Sequence, residues 1–166
     1  MPDATSALLE DLAARGLTIA VAESLTGGAL TAELTRPAGA SRVVLGGAVV
    51  YATELKHTLA GVDAALLAER GPVDPDVALA LARGIRERLA VGTRPADLGI
   101  ATTGVAGPDE QDGKPVGLVY IGYATADSAD VTTLLLEGDR AAIRARSVSE
   151  AVDGIRRFLS RYSSTN

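Results

Sequence analysis

The sequence predicts an α/β protein, a single-domain three-layer α/β/α sandwich around a mixed, mostly parallel sheet. Short apolar segments alternate along the chain with amphipathic helical patterns, which favours parallel strands joined by helices. Two further apolar segments, 116–124 and 131–136, are separated only by a turn and indicate a hairpin. Hydrophobic residues make up 47% of the 166-residue chain and aromatic residues 3%, so we expect an aliphatic core within residues 5–160.

Apolar periodicity and stop signals define the elements of the first half of the chain. In order, these are a helix over 3–15, a strand over 17–22, a helix that ends before Pro37, a strand over 43–51, and one or two short helices within 53–70. Gly16 and Pro37 are typical residues after a helix end. Both strands are apolar and are expected to be buried, and the pair Gly46-Gly47 indicates a bulge in the second.

The second half of the chain begins with its clearest helix start. Asp74 is a typical N-cap, and Pro75 occupies the first helical position, where its missing N–H group costs nothing. The elements predicted after this start are a helix, strands over 97–103, 116–124 and 131–136, and a final helix over 139–159.

Composition excludes several classes of chemistry. The net charge of −5 and the pI near 4.9 argue against a nucleic-acid-binding surface. The absence of cysteine excludes disulfides, thiolate metal sites and cysteine nucleophiles, and a single histidine excludes a multi-histidine metal site. With no hydrophobic signal and no apolar run of membrane-spanning length, we expect a cytoplasmic protein that binds neither nucleic acid nor membrane.

The most informative segment is 22–28, in which Ser24, Thr26, Gly27 and Gly28 follow an apolar strand and begin a helix. A helix start carries unpaired N–H groups and positive partial charge, so it can hold a phosphate, a carboxylate or an oxyanion. The alternative is a plain helix cap, since serine and threonine are common capping residues. The segment alone leaves both interpretations open.

Polar clusters follow three of the predicted strands, at 24–28, 51–56 and 103–114. Ligands of open α/β sheets bind beyond the carboxyl ends of the parallel strands. If these strands are parallel neighbours, the clusters meet in one crevice.

Within that crevice a metal-free serine–lysine mechanism is possible. Ser24 would be the nucleophile, Lys56 the base after losing its proton in a buried setting, and Tyr51 would relay the proton or position the lysine. The N–H groups of the helix start at Thr26, Gly27 and Gly28 would stabilise the oxyanion. Alternatively, Tyr51 is a strand-end aromatic residue and Lys56 a surface lysine.

Two features further along the chain are open to two interpretations each. Arg140 and Arg144, at i and i+4, would either clamp a phosphate or pair with Asp139 at the helix surface. The glycine-rich loop 104–117 would either cover a substrate or be an ordinary surface loop.

Taken in order and spacing, these motifs resemble the C-terminal domain of the CinA family, the competence/damage-inducible proteins, also found alone as nicotinamide-nucleotide amidase. The resemblance covers residues 8–159 and rests on the segments 22–28, 37–41, 46–56, 103–108, 114–117 and 138–140. Two positions depart from the family pattern: Leu25 stands where a small residue is frequent, and Thr53 where asparagine is common.

The resemblance implies hydrolysis of the carboxamide of nicotinamide mononucleotide to nicotinic acid mononucleotide and ammonia, without cofactor or metal. Ser24, Lys56 and Tyr51 match the catalytic residues of the family. We expect the nucleotide to contact the glycine-rich turns and one arginine: Thr26, Gly27, Gly28, Thr103, Gly104, Ala106, Gly107 and Arg140. The aliphatic surface is expected to support a homodimer. The alternative function is a non-catalytic nucleotide-binding or interaction module, and a third possibility is an amidase with another substrate.

Overall fold

The computed structural model describes residues 3–163, which form six α-helices and five β-strands. The helices are α1 (Ala4–Ala14), α2 (Ala29–Thr35), α3 (Thr53–Thr58), α4 (Ala64–Arg70), α5 (Pro75–Arg88) and α6 (Arg140–Ser163). The strands are β1 (Ile19–Glu23), β2 (Val44–Val49), β3 (Leu98–Gly104), β4 (Leu118–Ala124) and β5 (Ala129–Leu135).

The strands form one sheet in the order β2-β1-β3-β4-β5. Strand β1 pairs in parallel with β2 and with β3, whereas β4 is antiparallel to both β3 and β5. Four of the five strands therefore run in the same direction, and the predicted mixed, mostly parallel sheet with a hairpin is confirmed.

Alternation along β1 distributes its side chains between two cores. Ile19 and Val21 pack with α1, α2 and α6 on one face, and Ala20 and Ala22 pack beneath α5 on the other. The sheet residues beneath α5 are small because the backbone of this helix lies very close to the sheet. A Cβ atom at Gly99 would lie 1.8 Å from the carbonyl oxygen of Ala82. Helices thus cover both faces of the sheet, as predicted.

The predicted helix starts are confirmed by their caps. The Asp3 carboxylate accepts the N–H groups of Thr5 and Ser6, and Asp74 accepts that of Asp76. Among residues 3–163, no helix combines the length and apolar character that crossing a membrane requires.

The second strand differs from its prediction as a buried strand over 43–51. Strand β2 is an edge strand, and its side chains are half-buried or exposed, with Val49 44% exposed. The predicted bulge is present, since consecutive residues of β1 pair with Val44 and then Gly46. An apolar run shows that a segment is extended, but strand order decides whether one or two neighbours cover it.

Candidate active site

The carboxyl ends of β2, β1 and β3 meet at one cleft of about 180 Å³. Ser24 follows β1, Tyr51 follows β2, and Thr103 lies at the end of β3, and all three line this cleft. The predicted convergence of the three polar clusters is confirmed, because the strands are parallel neighbours.

Ser24 presents a free hydroxyl group to the cleft. Its backbone N–H donates to the carbonyl of Thr102 on the neighbouring strand at 3.0 Å, which fixes the residue in place. Its Oγ forms no hydrogen bond within residues 3–163, and the residue is half-buried. A fixed backbone with an unengaged hydroxyl suits a nucleophile.

Glu23, immediately before the serine, is the site residue that sequence reasoning missed. Its fully buried carboxylate accepts the N–H groups of Gly28, Leu30 and Thr31 at 3.0, 3.0 and 2.7 Å, and the Thr31 hydroxyl at 2.6 Å. The start of α2 is therefore occupied by an internal anion. In the sequence, a glutamate at the end of an apolar strand and just before a helix start could have indicated this role.

A glycine of the edge strand makes room for this arrangement. A Cβ atom at Gly47 would lie 2.0 Å from the Thr31 hydroxyl oxygen, so a larger residue there would displace the side chain that binds Glu23. The glycine pair that predicted a bulge thus also supports the helix start beside Ser24.

The structure does not support the predicted use of the Gly27 and Gly28 N–H groups for an oxyanion. The Gly27 N–H donates to the Ser24 carbonyl at 3.0 Å, and that of Gly28 donates to Glu23. The Thr26 side chain is buried against Thr102, with 2.8 Å between the hydroxyl oxygens, and does not line the cleft. In this turn after Ser24, the backbone N–H groups of Leu25 and Thr26 have no acceptor within residues 3–163.

Lys56, on α3, is 1% exposed, contrary to its alternative interpretation as a surface lysine. Its Nζ donates to the carbonyl of Val50 at 3.2 Å. Burial disfavours the charged amine and lowers its pKa from 10.5 to about 8. An amine that titrates so close to neutral pH can accept a proton.

A backbone contact places Lys56 beside the strand end that carries Ser24. The N–H of Val50 donates to the Glu23 carbonyl at 2.8 Å, while the Val50 carbonyl accepts the lysine. Among the residues that the structure describes, no hydrogen bond joins Ser24 Oγ, Lys56 Nζ and Tyr51 Oη directly. The three groups are brought to adjacent strand ends, and a proton transfer between them needs a shift or a bridging water.

Arg140 bridges two sides of the cleft from the start of α6. It donates from Nη2 to the Tyr51 hydroxyl at 2.9 Å and from Nη1 to the Gly107 carbonyl at 2.7 Å. Asp139, its predicted partner, instead accepts the N–H of Ala142 as a helix cap. Tyr51 is 58% exposed, so this pair lies at the open side of the cleft.

Arg144, one turn further along α6, does not form a phosphate clamp with Arg140. Its Nε donates to the Leu25 carbonyl at 2.9 Å and its Nη2 to the Thr26 carbonyl at 3.0 Å. The cleft is not lined by this side chain. The two arginines thus have different roles: Arg140 faces the cleft, and Arg144 holds the turn after Ser24.

The loop after β3 forms another wall of the cleft. Gly104, Ala106 and Gly107 line it, and the N–H groups of the last two have no acceptor within residues 3–163. The Thr103 hydroxyl is engaged, donating to the Pro72 carbonyl at 2.6 Å. Asp109 also lines the cleft, so the wall offers N–H donors and a carboxylate.

Comparison with known proteins identifies the family. The CinA C-terminal domain model matches residues 3–159. A CinA-like protein of Frankia casuarinae is 48% identical over 148 residues, 89% of this chain and 33% of that protein. A putative competence-damage inducible protein of Desulforamulus reducens is 43% identical over 144 residues, 87% of this chain and 34% of that protein. The chain spans about a third of the length of these curated relatives.

Solved structures share the fold. The competence damage-inducible protein A (ComA) from Klebsiella pneumoniae superposes with a TM-score of 0.88 at 30% identity, covering 95% of each chain. A CinA superfamily protein from Escherichia coli gives 0.87 at 29% identity, covering 93% of this chain and 88% of its own. Since sequence and fold agree over almost all of its length, the chain belongs to the CinA family and corresponds to the family's C-terminal domain.

Proposed function

We propose that this domain is a serine amidase that hydrolyses the carboxamide of nicotinamide mononucleotide to nicotinic acid mononucleotide and ammonia. One observation carries the proposal: the free hydroxyl of Ser24 lies in the cleft at the end of β1, and Val50, which pairs with the end of that strand, accepts a hydrogen bond from a buried lysine with a pKa of about 8. A buried amine of this kind is costly, and such groups are typical of catalytic sites. The substrate follows from the resemblance to the CinA family.

The proposed reaction has two halves. Neutral Lys56 takes the proton of Ser24, and Oγ attacks the carboxamide carbon. The resulting oxyanion accepts hydrogen bonds from the free N–H groups of the turn after Ser24. The lysine ammonium then protonates the leaving nitrogen, ammonia departs, and an acyl-serine ester forms. Water, deprotonated by the same amine, attacks the ester and releases the carboxylate and Ser24.

The nucleotide part of the substrate is assigned to the open side of the cleft. Arg140 provides the positive charge for the phosphate, and its bonds to Tyr51 and Gly107 hold the guanidinium in place. The unpaired N–H groups of Ala106 and Gly107 are further donors for phosphate or ribose oxygens. The contacts of Thr103 and Gly104 with substrate stay predictions.

The proposal is tested by measuring ammonia release from nicotinamide mononucleotide, nicotinamide riboside and nicotinamide. We expect turnover of the mononucleotide, weaker turnover of the two compounds without phosphate, and loss of activity in Ser24→Ala. Ser41→Ala, which changes an exposed serine away from the cleft, is the matched control and should retain the wild-type rate. Turnover that survives in Ser24→Ala would exclude the serine mechanism. Binding of the nucleotide without any turnover would favour the non-catalytic module.

The rate should depend on pH through Lys56. Only the neutral amine accepts a proton, and its pKa is about 8, so kcat/KM should rise with pH and level off above about pH 8. Steady-state rates between pH 6 and pH 10 measure this profile. A rate that is flat across pH 8, or falls through it, would contradict the assignment of Lys56 as the base.

The predicted homodimer stays a prediction that sedimentation velocity would test. The apolar side chains exposed near β2 and α3 are Val49, Leu55 and Leu59. A monomer at micromolar concentration would contradict it.

A further inference from the structure

The turn after Ser24 is held by more than its own hydrogen bonds. The turn comprises residues 24–28, and its first three carbonyl groups are occupied: Ser24 accepts the Gly27 N–H, Leu25 accepts Arg144, and Thr26 accepts both Arg144 and the Ala29 N–H. The guanidinium also lies against the backbone of the turn, since a Cβ atom at Gly27 would be 3.3 Å from Arg144 Nη2. The carbonyl side of this turn is therefore fixed from α6.

The N–H groups of the same turn behave differently. Those of Leu25 and Thr26 donate to no atom within residues 3–163, although both residues are buried. Backbone N–H groups usually have an acceptor in a folded protein, and Leu25 lines the cleft, from which one can reach the turn. Unused donors beside an unengaged serine hydroxyl point to an acceptor that is present only during the reaction.

Peptide geometry couples these two observations. The peptide bond between Leu25 and Thr26 is trans, so its C=O and N–H groups point in opposite directions. By binding the Leu25 carbonyl at 2.9 Å, Arg144 also fixes the direction of the Thr26 N–H. If this peptide flipped, the carbonyl oxygen would replace the donor and repel a developing negative charge.

We propose that Arg144 is a positioning residue that orients the Thr26 N–H, beside that of Leu25, for the oxyanion formed when Ser24 attacks. The proposal rests on the proposed amidase function and assigns a part in that reaction to a residue outside the cleft. Arg144 touches no substrate in this scheme. It acts through the peptide bonds of the turn, from the same helix that places Arg140 in the cleft.

The first test compares Arg144→Gln and Arg144→Lys with the wild-type enzyme on nicotinamide mononucleotide. We expect Arg144→Gln to lower kcat by about 10- to 100-fold, less than the loss of an oxyanion donor itself. KM should change less than about threefold, because the group acts in the transition state. Arg144→Lys keeps the charge and one donor and should recover part of kcat. Arg146→Gln, at an exposed position on the same helix, is the matched control and should match the wild type.

Two outcomes would overturn the inference in this assay. One is a rise in KM at unchanged kcat, which would place Arg144 in substrate binding. The other is a wild-type kcat in Arg144→Gln, even with a lower melting temperature, which would make the arginine purely structural.

A second test does not depend on the substrate. A fluorophosphonate phosphonylates a nucleophilic serine: Oγ bonds to phosphorus, its proton passes to the base and fluoride leaves, through a transition state that places negative charge on the phosphoryl oxygen. We expect its second-order rate of labelling Ser24 to fall in Arg144→Gln by the same factor as kcat. If the wild type is labelled but does not hydrolyse the nucleotide, the proposed function fails, and the effect of Arg144→Gln on labelling still decides the inference. Equal labelling of wild type and variant, or no labelling of the wild type, would overturn it.

Discussion

Replacing Lys56 with methionine is expected to abolish amide hydrolysis and, at the same time, to stabilise the fold. Loss of a general base lowers a rate by about 100- to 10,000-fold. Methionine fills a similar unbranched volume without a charge, although it cannot donate the 3.2 Å hydrogen bond that Nζ makes to the Val50 carbonyl. The two effects have opposite signs because the same amine is useful in catalysis and unfavourable in the interior.

The size and pH dependence of the stability gain follow from the pKa of the lysine. The folded value of about 8 lies below the ordinary 10.5, so the unfolded chain binds more protons between these pH values. Stability therefore rises with pH across that window, and below about pH 8 the full penalty of the buried ammonium applies. The fall from 10.5 to about 8 corresponds to a penalty of about 3 kcal/mol.

Urea unfolding at pH 7 and pH 10 measures this effect. The difference in unfolding free energy between Lys56→Met and wild type should be large at pH 7 and smaller at pH 10. Lys114→Met is a matched control, since it changes the chain's other lysine, which is half-buried, and should show no comparable gain. A Lys56→Met protein less stable than wild type at pH 7 would show that the amine is favourable where it lies.

Much of the fold could be predicted because its signals are local. The Asp74-Pro75 helix start and the apolar segments that become β1 and β3 are local patterns, and their physical causes lie within a few residues. The meeting of Ser24, Tyr51 and Thr103 could also be predicted, because parallel neighbouring strands bring their carboxyl ends to one edge.

The partners of individual polar groups could not be predicted in the same way. The start of α2 attracts any anion, and the sequence does not say whether Glu23 or a ligand supplies it. The i, i+4 spacing of Arg140 and Arg144 is the same whether Arg144 faces the cleft or the turn after Ser24. Only the position of that turn beside α6 decides which contacts Arg144 makes. Such choices depend on distances between elements that are far apart in sequence.

Glu23 is the position where we expect the largest loss of stability near the site. Glu23→Ala leaves the N–H groups of Gly28, Leu30 and Thr31 without their acceptor, that of Leu30 buried and the other two partly buried. Each hydrogen bond to a charged group contributes about 1.5–3 kcal/mol, and partial access of water reduces the sum, so we expect a loss of about 3–5 kcal/mol. The turn that carries Ser24 would lose its support on the α2 side, and activity should fall with stability.

Glu23→Gln separates charge from shape. The amide keeps one oxygen as an acceptor, but its NH₂ group faces donors where the second oxygen stood, so it should lose about 2–3 kcal/mol despite its similar size. Urea unfolding measures both variants, with Glu54→Gln, an exposed acid in the first turn of α3, as the control. A loss below about 1 kcal/mol in Glu23→Ala would mean that water replaces the carboxylate at the helix start. The Ser24 turn would then depend chiefly on the contacts of Arg144.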